Sequence, residues 1–260
     1  MNEEIELKKG INTLQLKYLG ILFMTLDHIG AYVLNPTIVS HPLRILGRIA
    51  APLFLYVTVN SVRHTRNKLR FAFRLYIAHV SICLITLFLT SVGKDWFGMH
   101  DQFSILSTFA YTVLLIWLIE NIVNCAKEKN KRKLFMYLIL IIGIILLPIV
   151  LLLFLNQVEM IWLIFVPNIL MVPYSPIFVL IGICWYFLKD KKRQISALVV
   201  FSCFALVGAY IINRTGVWLF MSFFNSNQFW MILFLPFIYL YNGQKGKSMK
   251  YFFYVYYPLH

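Results

Sequence analysis

The sequence predicts an all-α, polytopic transmembrane helical bundle of about eight or nine spans, a single transmembrane domain over residues 1–260 with a cytoplasmic N-terminus. Three observations predict it. First, 60% of the residues are hydrophobic, 13% are charged and the mean hydropathy is +0.76. A soluble domain carries about 25% charged residues, so this chain lacks the polar groups to cover a water-exposed surface. The 23 Phe, 15 Tyr and 6 Trp exclude a disordered chain in the same stroke. Second, the apolar residues come in runs close to the ~20 residues that cross a ~30 Å hydrocarbon core. Third, the basic residues collect between alternate runs, as they do in cytoplasmic loops.

The runs occupy 14–34, 43–62, 71–92, 103–124, 134–155, 161–188, 195–212 and 229–242, and a ninth begins at Tyr251 and reaches His260. The first is expected to stay in place as a span, because Glu3, Glu4 and Glu6 oppose the basic start of a secretory signal. In the second, Pro52 predicts a kink. The sixth is long and carries Pro167, Pro173 and Pro176, which predicts a broken or re-entrant helix. Residues 216–224 read as an interfacial segment. The last ten residues would reach only ~15 Å as helix.

Charge orients these elements. Lys8, Lys9 and Lys17 flank run one; Arg63, Arg66, Lys68, Arg70 and Arg74 join runs two and three; Lys127, Lys129, Lys131, Arg132 and Lys133 join four and five. Lys189, Lys191, Lys192 and Arg193 join six and seven, and Lys245, Lys247 and Lys250 follow run eight. Only Arg44, Arg48, Lys94 and Arg214 fall elsewhere, so 20 of the 24 basic residues lie in loops expected on one side, the cytoplasm. The same distribution removes nucleic acid as an explanation of the +14 net charge, since no basic stripe interleaves with aromatic residues on a polar segment.

Ionisable residues inside spans are costly and mark sites by default. Asp27-His28 in run one stands out. Neighbours on a helix point about 100° apart, so the two cannot pair with each other. Arg48 lies at matching depth in run two, and Arg44 shares its face one turn earlier. Gly47, Ala50 and Ala51 would let another helix come close. An Asp27–Arg48 contact is the expectation, leaving His28 as the titratable group of the cluster. The plainer reading is that Asp27 is simply one end of a buried ion pair.

The remaining candidates have plainer explanations. His79 inside run three reads as a hydrogen-bonded packing residue, and His64 as a solvated loop residue. His41 and His100 have no companion metal ligands, so no metal site is expected. Cys83, Cys125, Cys184 and Cys203 occur singly and read as buried small apolar residues. The stretch from Asn242 to Lys247 lacks the strand and helix of a phosphate-binding loop, though its basic character suits an anion.

Four segments together resemble the TraX family of membrane proteins. They are 26–30 (Leu-Asp-His-Ile-Gly), 43–54 (Leu-Arg-Ile-Leu-Gly-Arg-Ile-Ala-Ala-Pro-Leu-Phe), His64-Thr65-Arg66-Asn67 with Phe73-Arg74-Leu75, and the end from Tyr241-Asn242-Gly243 through Lys250 to His260. The resemblance implies an N-acetyltransferase of the bacterial inner membrane, associated with conjugation, that takes an acetyl group from acetyl-CoA. The acceptor it implies is the N-terminus of a pilin-like protein, or a glycan or lipid-linked amine or hydroxyl. Membrane lipids would surround the protein, and a homo-oligomer is compatible with the pattern. By that resemblance His28 would act as general base, Asp27 and Arg48 would fix the geometry, and Arg44 or Arg48 would stabilise an oxyanion. Arg63, Arg66, Lys68 and Lys247 would contact the phosphates of acetyl-CoA; as loop residues they also need no role beyond orienting the chain. Two other readings stand beside this one. The protein is a non-catalytic membrane subunit of a conjugation, secretion or surface-assembly system, or a transporter with a polar pathway at Asp27, His28 and Arg48.

Overall fold

In a computed structural model, the described residues are 9–34, 40–92, 104–154, 162–170, 172–215, 227–247, 249, 252–253 and 256. His100, Lys94 and the 216–224 segment lie outside them, as does most of the ninth run. Ten α-helices are described: α1 (Thr13–His28), α2 (Ser40–Gly47), α3 (Ala50–Arg63), α4 (Lys68–Val92), α5 (Ile105–Lys127), α6 (Lys131–Phe154), α7 (Trp162–Phe165), α8 (Ser175–Phe187), α9 (Lys191–Thr215) and α10 (Leu235–Leu240). A π-helical turn (Ile29–Val33) extends α1, and a 3₁₀ stretch (Gln228–Phe234) leads into α10. No β-strand occurs among the described residues. Among the described residues five helical stretches are long and apolar enough to cross a membrane: His41–Arg63, Lys68–Val92, Ile105–Lys127, Lys131–Leu151 and Lys191–Ile211. Ser175–Phe187 and Gln228–Leu240 are shorter apolar helices. The protein is thus an all-helical membrane protein.

The helices start where side chains can satisfy their first free N–H groups. Asn12, Asn67, Ser104, Asn130, Ser175 and Asp190 each accept a hydrogen bond from a backbone N–H two or three residues on. At Asn12 the exchange is reciprocal: Gln15 N–H donates to its Oδ1, and its own N–H donates to Gln15 Oε1, both at 2.9 Å.

Proline sets the breaks. Pro52 has no N–H for the carbonyl of Arg48, and its ring crowds that turn. The second run accordingly splits into α2 and α3, with tighter hydrogen bonds from Arg48 N–H to Ile45 and from Ile49 N–H to Leu46 at the joint. The sixth run is broken as expected, into α7, an irregular passage and α8. Unpaired carbonyls are not tolerated in lipid, and here protein satisfies them. Tyr111 O–H donates to the Pro167 carbonyl, Thr108 O–H to that of Pro173 at 2.8 Å, and buried Asn168 to that of Pro148 at 3.2 Å.

The chain forms two compact units, residues 1–57, 188–215 and 225–260, and residues 58–187 and 216–224. In the first, α1 packs on α2, and α9 packs on the 3₁₀ stretch and α10. Tyr56 is buried here, donating to Gln194 Oε1 at 2.9 Å and lying edge-on to Phe234 and Tyr241. In the second, α5 is central, with α4, α6 and α8 packed around it. Leu115, Leu118, Val172 and Val179 form one part of its core, and Val62, Ala72, Val113 and Ile116 another. Many side chains of α4 and α6 remain exposed, among them Phe73, Phe88, Ile142 and Leu147. These two helices present apolar faces suited to lipid.

Candidate functional site

The α1–α2 crossing holds the charged cluster. Asp27, in the last turn of α1, places Oδ2 2.9 Å from Arg44 Nη1 and Oδ1 3.5 Å from Arg48 Nη2. The expected Asp27–Arg48 contact is present, but Arg44 is the closer partner. The i, i+4 spacing brings both guanidiniums to one carboxylate. Arg48 also donates from Nε to the Arg44 carbonyl at 3.4 Å, which turns the side chain back along α2. The Arg48 side chain is 9% exposed, that of Asp27 15% and that of Arg44 32%, so the pair opens toward the Arg44 side.

Gly47 explains the close approach. A β-carbon there would run into the β-carbon and carboxylate of Asp27. Gly20, further along α1, plays the same part against Leu53 and Phe54 of α3. Small residues let two helices meet closely enough for short polar side chains to bridge them.

His28 follows Asp27 and ends α1. It is half-buried, it packs edge-on against Tyr32 with ring centroids 5.6 Å apart, and the charges of Asp27 and Arg44 both act on it. The π-helical turn begins at the next residue, so the ladder changes spacing at the cluster, a feature frequent at functional sites. Thr25, two residues before Asp27, shares a 2.6 Å hydroxyl contact with Tyr256. Phe252 and Phe253 likewise meet the Tyr18 ring of α1, and Lys17 lies over Phe253. Neither Thr25 nor Tyr256 was marked by its sequence context, because hydroxyl groups on an apolar run carry no charge signal.

The four basic loop candidates behave differently from one another. In the second unit, Arg63 donates from Nη2 to the carbonyls of Trp185 and Tyr186 at the end of α8, and from Nη1 to Asn60 Oδ1 at 3.2 Å. It thereby caps carbonyls that α8 leaves open. Lys68 is ion-paired with Glu120 and donates to the Tyr186 hydroxyl at 2.6 Å, and that hydroxyl in turn donates to Glu120. Glu120 is a residue the sequence reading passed over. The signal was there, since it is the one acid inside the fourth apolar run. Arg66 is exposed on the loop before α4. In the first unit, Lys247 is exposed in the loop after α10, which clamps the start of α1. Ile11 N–H donates to Leu240, Asn242 N–H to Ile11 and Thr13 N–H to Gln244, at 2.8–2.9 Å.

His79 is fully buried in α4, hydrogen-bonded to the backbone of Ile164 and 3.5 Å from Cys83 Sγ, as expected of a packing residue. His64 and His41 are exposed. Cys83 and Cys125 are buried, whereas Cys184 is half-buried and Cys203 is exposed on α9. For Cys203 the expectation of burial fails because a span accepts an apolar side chain toward lipid as readily as toward protein. Among the described residues no three His, Cys, Asp or Glu side chains form a metal-holding group.

The family model described as TraX protein matches residues 12–260. No curated protein and no solved structure matches the chain.

Proposed function

The chain belongs to the TraX family of membrane proteins, and from that premise we propose that it is an integral acetyltransferase of the bacterial inner membrane. It moves an acetyl group from acetyl-CoA to an amine or hydroxyl acceptor, such as the N-terminus of a pilin-like protein or a glycan or lipid-linked group. The observation that carries the reading is the imbalance of charge beside His28. Among the described residues one carboxylate stands between two guanidiniums, so the cluster keeps one positive charge that none of them compensates, in a half-buried setting. A structural ion pair needs only one arginine. The second is free in charge terms to stabilise an anion that forms in the reaction.

The chemistry follows. The acceptor nitrogen or oxygen attacks the thioester carbonyl carbon and gives its proton to the His28 imidazole. Negative charge develops on the carbonyl oxygen and is met by Arg44, the more accessible of the two arginines. The carbon–sulfur bond then breaks, and the CoA thiolate takes the proton back from His28. Asp27 holds both guanidiniums in place. Of the basic residues proposed for the phosphates of CoA, Arg66 and Lys247 are exposed. Arg63 and Lys68 already serve α8 and Glu120.

Detergent-purified protein with acetyl-CoA and a primary-amine acceptor tests this. Saturable acetyl transfer that is lost in His28→Ala, with unchanged yield and melting temperature, is the expected result. Full activity in His28→Ala removes the general-base assignment, and no acetyl-CoA binding by folded wild type removes the reading altogether.

A further inference from the structure

The second unit contains a cavity of about 670 Å³, inside the usual range for a small-molecule site, between α4 and α6 on a floor of α5. Its walls are Leu69, Phe73 and Tyr76 of α4 and Gly143, Ile144 and Leu147 of α6, over Ala110 and Leu114 of α5. Almost all of it is hydrocarbon. Asn67 and Arg70, at the start of α4, line one end. The other end is closed by Phe165, Val166 and Pro167, tied down by the hydrogen bonds from Tyr76 O–H to Phe165 and from Tyr111 O–H to Pro167.

Three features identify the occupant. The first is length. On α5 the lining runs from Ser107 to Leu114, about 10 Å of helix. A partner helix would need an unobstructed path across ~30 Å of hydrocarbon, whereas an acyl chain can lay part of its length in a groove this short. The second is charge. α4 runs antiparallel to α5, as the Lys68–Glu120 pair requires, and the short turn after Lys127 makes α6 antiparallel to α5 as well. The starts of α4 and α6 therefore lie at one end of the unit, with Arg66, Arg70, Arg74, Lys131, Arg132 and Lys133. Among the described residues of this unit the only acids are Glu120, held by Lys68, and Glu128. The guanidinium of Arg70 has no ion pair among them. The third is space. A β-carbon added at Gly143 would meet nothing within 4 Å, so a residue that costs helix stability leaves the groove wall open.

We propose that this groove is a binding site for a membrane phospholipid with an anionic headgroup, its acyl chain between α4 and α6 and its headgroup at Arg70. The site shares no residue with the charged cluster on α1 and α2.

The full-length protein in nanodiscs doped with phosphatidylglycerol or phosphatidylcholine, each carrying a photoreactive acyl chain, tests the assignment. Expected are crosslinks on α4–α6 groove residues, stronger for phosphatidylglycerol. Gly143→Phe fills the groove, and labelling falls by roughly tenfold while helicity is kept. Arg70→Glu, at an exposed position that does not endanger folding, abolishes the preference for the anionic probe without removing acyl labelling. Equal labelling of wild type and a folded Gly143→Phe overturns the site. Equal labelling by both lipids in wild type overturns the headgroup assignment, as does a preference that survives Arg70→Glu. Crosslinks from a second copy of the chain within the groove, in place of lipid, overturn the occupant.

Discussion

At Asp27 the balance is between two attractive contacts and the cost of removing three charges from water. Breaking a buried pair by deleting one partner costs ~3–5 kcal/mol. Here the cost is reduced, because Arg44 stays about a third exposed and water screens it. Asp27→Asn keeps the shape and leaves two guanidiniums facing each other, so we expect a loss of about 2 kcal/mol, read as a lower melting temperature in detergent. The glycines make a sharper contrast. Gly47→Ala gains helix propensity, yet its β-carbon collides with the Asp27 β-carbon, which the α1 backbone fixes. The expected result is a net loss of ~1–3 kcal/mol and an opened Asp27 site. Gly143→Ala meets open space and should stabilise α6 by about 0.5–1 kcal/mol. Thermal unfolding of the two variants side by side checks the sign. An equal response at both positions would show that the α1–α2 contact is looser than described.

Among the elements, the break between α2 and α3 and the ties at the end of α8 matter most. Pro52→Ala returns an N–H to the Arg48 carbonyl and should join α2 to α3. Slower amide exchange across Leu46–Leu53 is the expected sign. Acetyl transfer should fall with it, because a continuous helix turns Arg44 and Arg48 away from Asp27. Faster exchange there would mean that the joint is not held by the proline. At α8, Glu120→Gln leaves Lys68 without its counter-charge and should cost ~1–3 kcal/mol. Tyr186→Phe should cost less, since it removes a hydroxyl and keeps the ion pair. Combining the two changes should cost less than their sum, because the hydroxyl and the carboxylate share one network.

For the whole molecule, the orientation proposed from the charge rule has the loops rich in Lys and Arg facing the cytoplasm. Single cysteines introduced at Arg66, Lys129 and Lys192 in a chain freed of its four native cysteines should therefore react with an impermeant reagent only from the cytoplasmic face. Labelling of any of the three from the opposite face would reverse the proposed orientation of that segment and separate it from cytosolic acetyl-CoA.

The class of protein, the helices and their breaks were legible because each follows from local chemistry. Composition demands a bilayer, Asn, Ser and Asp start helices, and Pro52 and Pro167 break them. The Asp27 cluster was legible in part, since a charge inside an apolar run must find a partner and only Arg44 and Arg48 lay at its depth. That Arg44 rather than Arg48 is nearer, that Arg63 and Lys68 serve α8 and Glu120, that Tyr256 reaches Thr25, and that a groove lies open between α4 and α6 came only from tertiary structure. The reason is physical. Local sequence fixes hydrogen bonding along one helix, whereas these contacts join groups distant in the chain. Their geometry depends on how closely two helices approach, which the missing side chains of Gly47 and Gly143 decide in opposite ways.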